Sequence, residues 1–165
     1  LWKVAKFDNN FKSFCFEFVQ NILYPNEQKA KFIPNYSPLC NICQSYGFLP
    51  APKESIVHLF VSCPTIIMLR QQFINNLEIN SQDQSIRELT LCGSSDPAPH
   101  KRTTFNLLNM IFNFFLYKNR NIPSIKFYFD TFLNEIESML CILTENSLQK
   151  EDLKRVIEDF YTINV

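Results

Sequence analysis

Glycine is almost missing from this chain, with 2 copies among 165 residues against 9 prolines. Tight β-hairpin turns need residues that adopt positive φ, so a hairpin-rich β architecture is disfavoured and helices are expected. Net charge is missing too, because 16 basic residues cancel 16 acidic ones, and whole-chain electrostatics give no argument for a polyanionic partner. Nor is there a membrane-length apolar run: the stretch from Phe105 to Leu116 is short and carries Asn106, Asn109 and Asn113, which reads as a buried helix. No membrane partner is expected. The chain opens without a basic region leading into an unbroken apolar stretch, so secretion is not expected. It starts at Leu1 rather than Met, which suggests a piece of something longer.

The residues that are present describe a folded chain. Hydrophobic residues make up 46%, aromatics 15%, and Phe alone occurs 17 times, the composition of a globular protein with one continuous core. Residues 1–70 hold seven Lys/Arg against four Asp/Glu and residues 101–130 five against one, while 71–100 and 131–165 are acidic. Solvated surface charge is a plainer explanation of these blocks than a phosphate track.

Apolar residues at Phe11, Phe14, Cys15, Phe18, Ile22 and Leu23 have the spacing of one helical face, with Asp8 or Asn9 as N-cap and a stop near Tyr24-Pro25. Residues 27–39 hold at most a short helical turn before a proline-containing loop. Pro64 starts a second helix through Ile66, Leu69, Phe73 and Leu77. Residues 79–102 are polar and turn-rich and read as a connector, which divides the chain into 1–78, the connector and 103–165. Thr103 or Thr104 then caps a helix to about Asn119, with an apolar face and an Asn106, Asn109, Asn113 stripe that could read bases but is better explained as a wet face. Further helices follow from Pro123 and from Asn146 or Ser147. The fold class expected is mainly α, a helical domain with one small CCHC zinc knuckle inserted between helices.

That knuckle is the one constellation that carries chemistry. Cys40-Asn41-Ile42-Cys43 is a CxxC, and after fourteen residues His58 and Cys63 follow as HxxxxC. A d¹⁰ zinc ion accepts tetrahedral coordination by three sulfurs and a nitrogen, and four protein ligands with no open position indicate one structural Zn2+ rather than a catalytic one. Lys53-Glu54-Ser55 looks like a helix start, which would put His58 on a first turn and Cys63 at its end. The alternative is that some of these cysteines are small buried hydrophobes, as Cys15, Cys92 and Cys141 are expected to be on apolar helical faces. A disulfide framework fits less well in a chain without secretory features.

These residues also carry a resemblance. The CxxC followed by Glu54-Ser55-x-x-His58-Leu59-Phe60-x-x-Cys63-Pro64 resembles the zinc-binding region that follows the polymerase in non-LTR (LINE-type) retrotransposon reverse transcriptases. Phe11-Lys12-Ser13-Phe14 with Ile22 to Asn26 is similar to that family's helix before the knuckle. Asn106-Leu107-Leu108 through Arg120, then Ile122-Pro123-Ser124 and Phe127 to Phe129, is similar to its closing helices.

The resemblance implies a segment that grips template RNA or target DNA beside a polymerase, with the remainder of the reverse transcriptase as its other partner. It also implies intracellular residence, nuclear and cytoplasmic. It does not imply an enzyme here: polymerase metal chemistry needs clustered carboxylates and no Asp-Asp pair occurs. The nuclease of some relatives uses a Pro-Asp, where this chain has only Asp96-Pro97. His100 has no acid or nucleophile at a telling distance, so neither a hydrolase nor a small-molecule substrate is expected. The candidate nucleic-acid contacts are Lys29, Lys31, Lys53 and Arg70 near the knuckle, with Lys101, Arg102, Lys118, Arg120 and Lys126 as a second group. The competing reading is a zinc-stapled structural or protein-interaction module that supports the polymerase thumb without touching nucleic acid.

Overall fold

The computed structural model describes residues 9–67, 70–71, 84–95, 97 and 99–121. Among them the chain is mainly α: α1 (Asn9–Val19), α2 (Asn26–Lys29), α3 (Asn41–Ser45), a π-helical turn α4 (His58–Ser62), α5 (Ile86–Cys92) and α6 (Pro99–Asn119). Residues 64–67 and 70–71 are helical as well. No strand occurs among the described residues, and the extended backbone there pairs only at an antiparallel bridge between Leu39 and Lys53. The helices expected from Pro123 onward, the cap candidate Asp8, and Cys141 and Lys126 lie outside the described residues.

α1 buries Phe11, Phe14 and Cys15, as its apolar spacing requires. Burial pushes the Cys15 thiol up to about 12. The helix stops at Val19, short of the expected Leu23, because Asn21 takes φ 56°. Ile22 N donates to Glu17 O at 2.9 Å and Asn21 N to Phe18 O at 3.1 Å, the paired bonds of a Schellman motif, in which Asn tolerates the left-handed position. Local capping therefore ends α1 before Pro25 is reached.

Phe14 joins three elements. Its ring centroid lies 5.4 Å from Phe114 and 5.5 Å from Tyr117 on α6, and 6.5 Å from Phe60 on α4. Phe18 meets Phe60 at 5.4 Å and Phe11 meets Phe114 at 5.4 Å, both edge to face, an arrangement worth about 0.5–1.5 kcal/mol per pair beyond the area it buries. The turn that carries His58 is thus seated on the aromatic core.

The stretch read as a connector contains α5. Ser85 Oγ accepts from Glu88 N and the Glu88 carboxylate accepts from Ser85 N, a complete capping box. α6 begins at Pro99, so Thr103 and Thr104 lie inside the helix rather than at its cap. Cys92, expected to be buried, is exposed.

The asparagine stripe is a further correction, since Asn109 and Asn113 are 4% and 0% exposed. Their side-chain amides donate to Leu89 O and Thr90 O near the end of α5, while their oxygens accept from Arg70 at 2.8 and 2.6 Å. Arg70 itself is 0% exposed, with its guanidinium 4.4 Å above the Phe112 ring. An apolar core tolerates polar groups that satisfy one another, so the stripe is internal framework and no wet face.

Candidate metal centre

The four sequence-predicted ligands converge. Cys40, Cys43, His58 and Cys63 are all buried, and their ligand atoms lie within 4.8 Å of one another. Local structure explains how each arrives.

Cys40 occupies the extended N-cap position of α3, and Cys43 lies one turn on. The helix then reverses at Gly47, φ 79°, with Phe48 N donating to Cys43 O and Gly47 N to Gln44 O, both at 3.1 Å. This is a second Schellman motif, at a position that favours glycine. The returning arm pairs with the outgoing one: Cys40 N donates to Pro52 O and Glu54 N to Pro38 O, each at 2.9 Å.

His58 and Cys63 are five residues apart. In an α-helix that spacing would rotate the two side chains roughly 140° from one another. Here the turn between them is π-helical, the i→i+5 geometry that returns residue i+5 to the neighbourhood of residue i. The spacing expected to fit an ordinary short helix is met by this wider turn. Ser55 starts it, its Oγ accepting from His58 N at 3.0 Å, while Lys53, read as part of the helix start, is in the bridge with Leu39.

The donor set fits a zinc ion, and so do the two distances from Cys43. Zn–S bonds of about 2.3 Å and a Zn–N bond of about 2.05 Å, arranged tetrahedrally, place two sulfurs about 3.8 Å apart and a sulfur and a nitrogen about 3.6 Å apart. Cys43 Sγ lies 3.6 Å from Cys63 Sγ and 3.4 Å from His58 Nε2. None of the three cysteines is in a disulfide. Without a cation the thiols hold their protons: contact with Cys63, then burial, pushes Cys40 up to about 12, and burial, then the Cys40 charge, pushes Cys43 up to about 11. A bound divalent ion reverses this, since its field favours the thiolate.

Behind the ligands is a buried polar node that sequence reading missed. Glu54, 0% exposed, accepts from Asn26 N at 2.9 Å and from Asn26 Nδ2 at 3.2 Å. Its Oε1 faces Arg120 Nε at 3.3 Å, an ion pair rather than an aligned hydrogen bond. Burial, opposed by Asn26 and by the Arg120 charge, raises the Glu54 carboxyl above its ordinary range. Arg120 also donates to Tyr24 O and Tyr117 O and stacks 3.8 Å above the Tyr117 ring. The node fastens the knuckle to α2 and to the end of α6. A lone Glu before the histidine gives no sequence signal for such a role.

The basic candidates divide. Lys31, Lys53, Arg102 and Lys118 are exposed, and Lys29 is half-buried with its ammonium 5.9 Å from the Tyr36 ring centroid. Arg70 and Arg120, expected at the surface, are interior and committed to Asn109, Asn113 and Glu54, which leaves neither guanidinium facing a phosphate. The backbones of His100 and Lys101 lie in α6; their side chains lie outside what is described.

No family model, curated protein or solved structure matches this chain. Among the described residues, no helix is long and apolar enough to cross a membrane.

Proposed function

We propose that this chain is a non-catalytic zinc-binding segment that contacts template RNA or target DNA beside a reverse transcriptase of the LINE type, in the nucleus and cytoplasm. The observation that carries the reading is the buried cluster of Cys40, Cys43, His58 and Cys63. Its donor set and the two distances from Cys43 suit one Zn2+, and with four protein ligands it has no open position for a reacting molecule. The exposed Lys31, Lys53, Arg102 and Lys118 supply the positive charge that a phosphate backbone requires. The link to the retrotransposon enzyme rests on the residue pattern around these ligands.

The test begins with bound zinc per chain, measured on protein purified without chelator, for the wild type and for Cys40→Ser and His58→Ala. One zinc, lost in either variant, supports the metal. Affinity for a structured RNA is then followed against salt, where counterion release demands a steep decline. A folded wild type without zinc, or RNA binding indifferent to salt, sinks the proposal.

A second reading is favoured by a specific surface. Phe16, Val19, Ile22 and Tyr24 are 47% to 65% exposed on and just after α1. Such residues suit docking against the rest of a larger protein, with the zinc acting only as a staple. Binding to a polymerase thumb that is insensitive to salt, with no RNA binding, is the outcome that selects it.

A further inference from the structure

The turn that closes the first half of the metal cluster is presented outward. Residues 44–50 are all exposed, and at their centre Tyr46 is 47%, Phe48 41% and Leu49 88% exposed. Exposed aromatic and aliphatic groups lose the stabilisation that burial brings, about 1.5–3 kcal/mol for a large side chain. Neither the Tyr46 nor the Phe48 ring stacks on another ring among the described residues. Yet the loop is firmly placed, because Phe48 N donates to the carbonyl of the ligand residue Cys43 and Tyr46 N to Ile42 O and Cys43 O.

The charge of the chain segment that carries the turn selects the occupant. Between Glu27 and Glu54 there is no acidic residue, while Lys29, Lys31 and Lys53 all fall there. Lys31 and Lys53 are exposed, and so is Phe32, at 73%. Flat rings on a turn held by backbone hydrogen bonds, in a stretch of chain that carries exposed lysines and no carboxylate between Glu27 and Glu54, match a strand whose bases are free to stack. A duplex keeps its bases stacked inside and offers these rings nothing.

We infer that Tyr46 and Phe48 form a stacking platform for unpaired bases, and that the knuckle selects single-stranded over double-stranded nucleic acid. This rests on the nucleic-acid reading above and adds its substrate class. The exposed lysines hold the backbone, and the two rings receive successive bases.

The experiment uses the zinc-loaded full chain with two labelled probes, an oligouridylate and a GC-rich RNA duplex of equal length. Tyr46→Ala and Phe48→Ala are each expected to weaken oligouridylate binding about tenfold, with zinc content, melting and duplex affinity unchanged, while Phe48→Trp keeps wild-type affinity. Single-strand binding that is salt-dependent but identical in both alanine variants overturns the platform and leaves the broader reading standing. A wild type that binds neither probe overturns both. Vesicles of phosphatidylserine and phosphatidylcholine are the third arm: ring-dependent vesicle binding that the oligouridylate does not compete away assigns the loop to a membrane surface and also overturns the platform.

Discussion

Glu54 Oε1 and Arg120 Nε face each other at 3.3 Å with both side chains buried, although one precedes the ligand His58 by a single turn and the other follows α6. Two consequences follow for stability. Removing one member of a buried pair leaves an uncompensated charge, at a cost of about 3–5 kcal/mol. Glu54→Ala and Arg120→Ala are each expected to lose stability of that order in urea unfolding of the zinc-loaded chain. The double variant is expected to lose less than the sum, and additive losses would show that the pair does not act as a unit.

Zinc binding is expected to depend on pH in a definite direction. The Cys40 and Cys43 thiols, at about 12 and about 11, are protonated near neutrality when no ion is bound, and coordination requires thiolates. Binding therefore releases protons, and apparent affinity falls as pH falls, about tenfold per pH unit for each proton released. Competition with a chromophoric chelator between pH 6 and 8 measures the slope. Affinity that does not change with pH would mean the metal is not held by these thiols.

The two glycines should differ in what alanine costs. At Gly47 a Cβ meets nothing within 4 Å, so only the positive φ is strained, about 1–2 kcal/mol. At Gly93, φ 84° and ψ 179°, the backbone is strained for any side chain, and a Cβ would lie 2.9 Å from Asn106 Cγ. Gly93→Ala is expected to lower the melting temperature more than Gly47→Ala. The reverse order would indicate that Asn106 moves aside and that the backbone at residue 93 relaxes out of its strained conformation.

Arg70 and Lys53, neighbours of the knuckle in the sequence, should separate into opposite phenotypes. Arg70→Ala leaves the Asn109 and Asn113 oxygens without their donors, about 1–3 kcal/mol for each buried group, without changing the salt dependence of RNA binding. Lys53→Ala, at an exposed position, should leave melting unchanged and reduce the slope of log affinity against log salt by roughly one. Thermal melting and a salt titration of both variants decide the matter. An Arg70 variant that melts normally but binds RNA weakly would return that residue to the surface.

How much was legible is clearest at particular residues. The candidate ligand set could be read directly, because Cys and His at CxxC and HxxxxC spacing are scarce, chemically specific groups whose coordination demands are known. The inward face of α1 followed from period 3.6. The Ser85 and Glu88 pair carried a capping-box signal that the polar character of residues 79–102 obscured. Asn21 gave no comparable warning, since an Asn ends a helix in the left-handed conformation only when the chain beyond it can close both Schellman bonds.

The charged residues were the least legible. Lys31, Lys53, Arg70 and Arg120 are all long cations on a one-dimensional string, and nothing local distinguishes a solvated one from a buried one. By itself the sequence determined the mainly helical class and the composition of the candidate metal cluster. Only the tertiary structure decided that a π-helical turn brings His58 and Cys63 into one cluster. It also decided that Arg70 enters the core against Asn109 and Asn113, and that Glu54 meets Arg120 across it. The reason is that a residue's type sets what it needs, whereas whether that need is met inside or by water depends on partners distant in the chain.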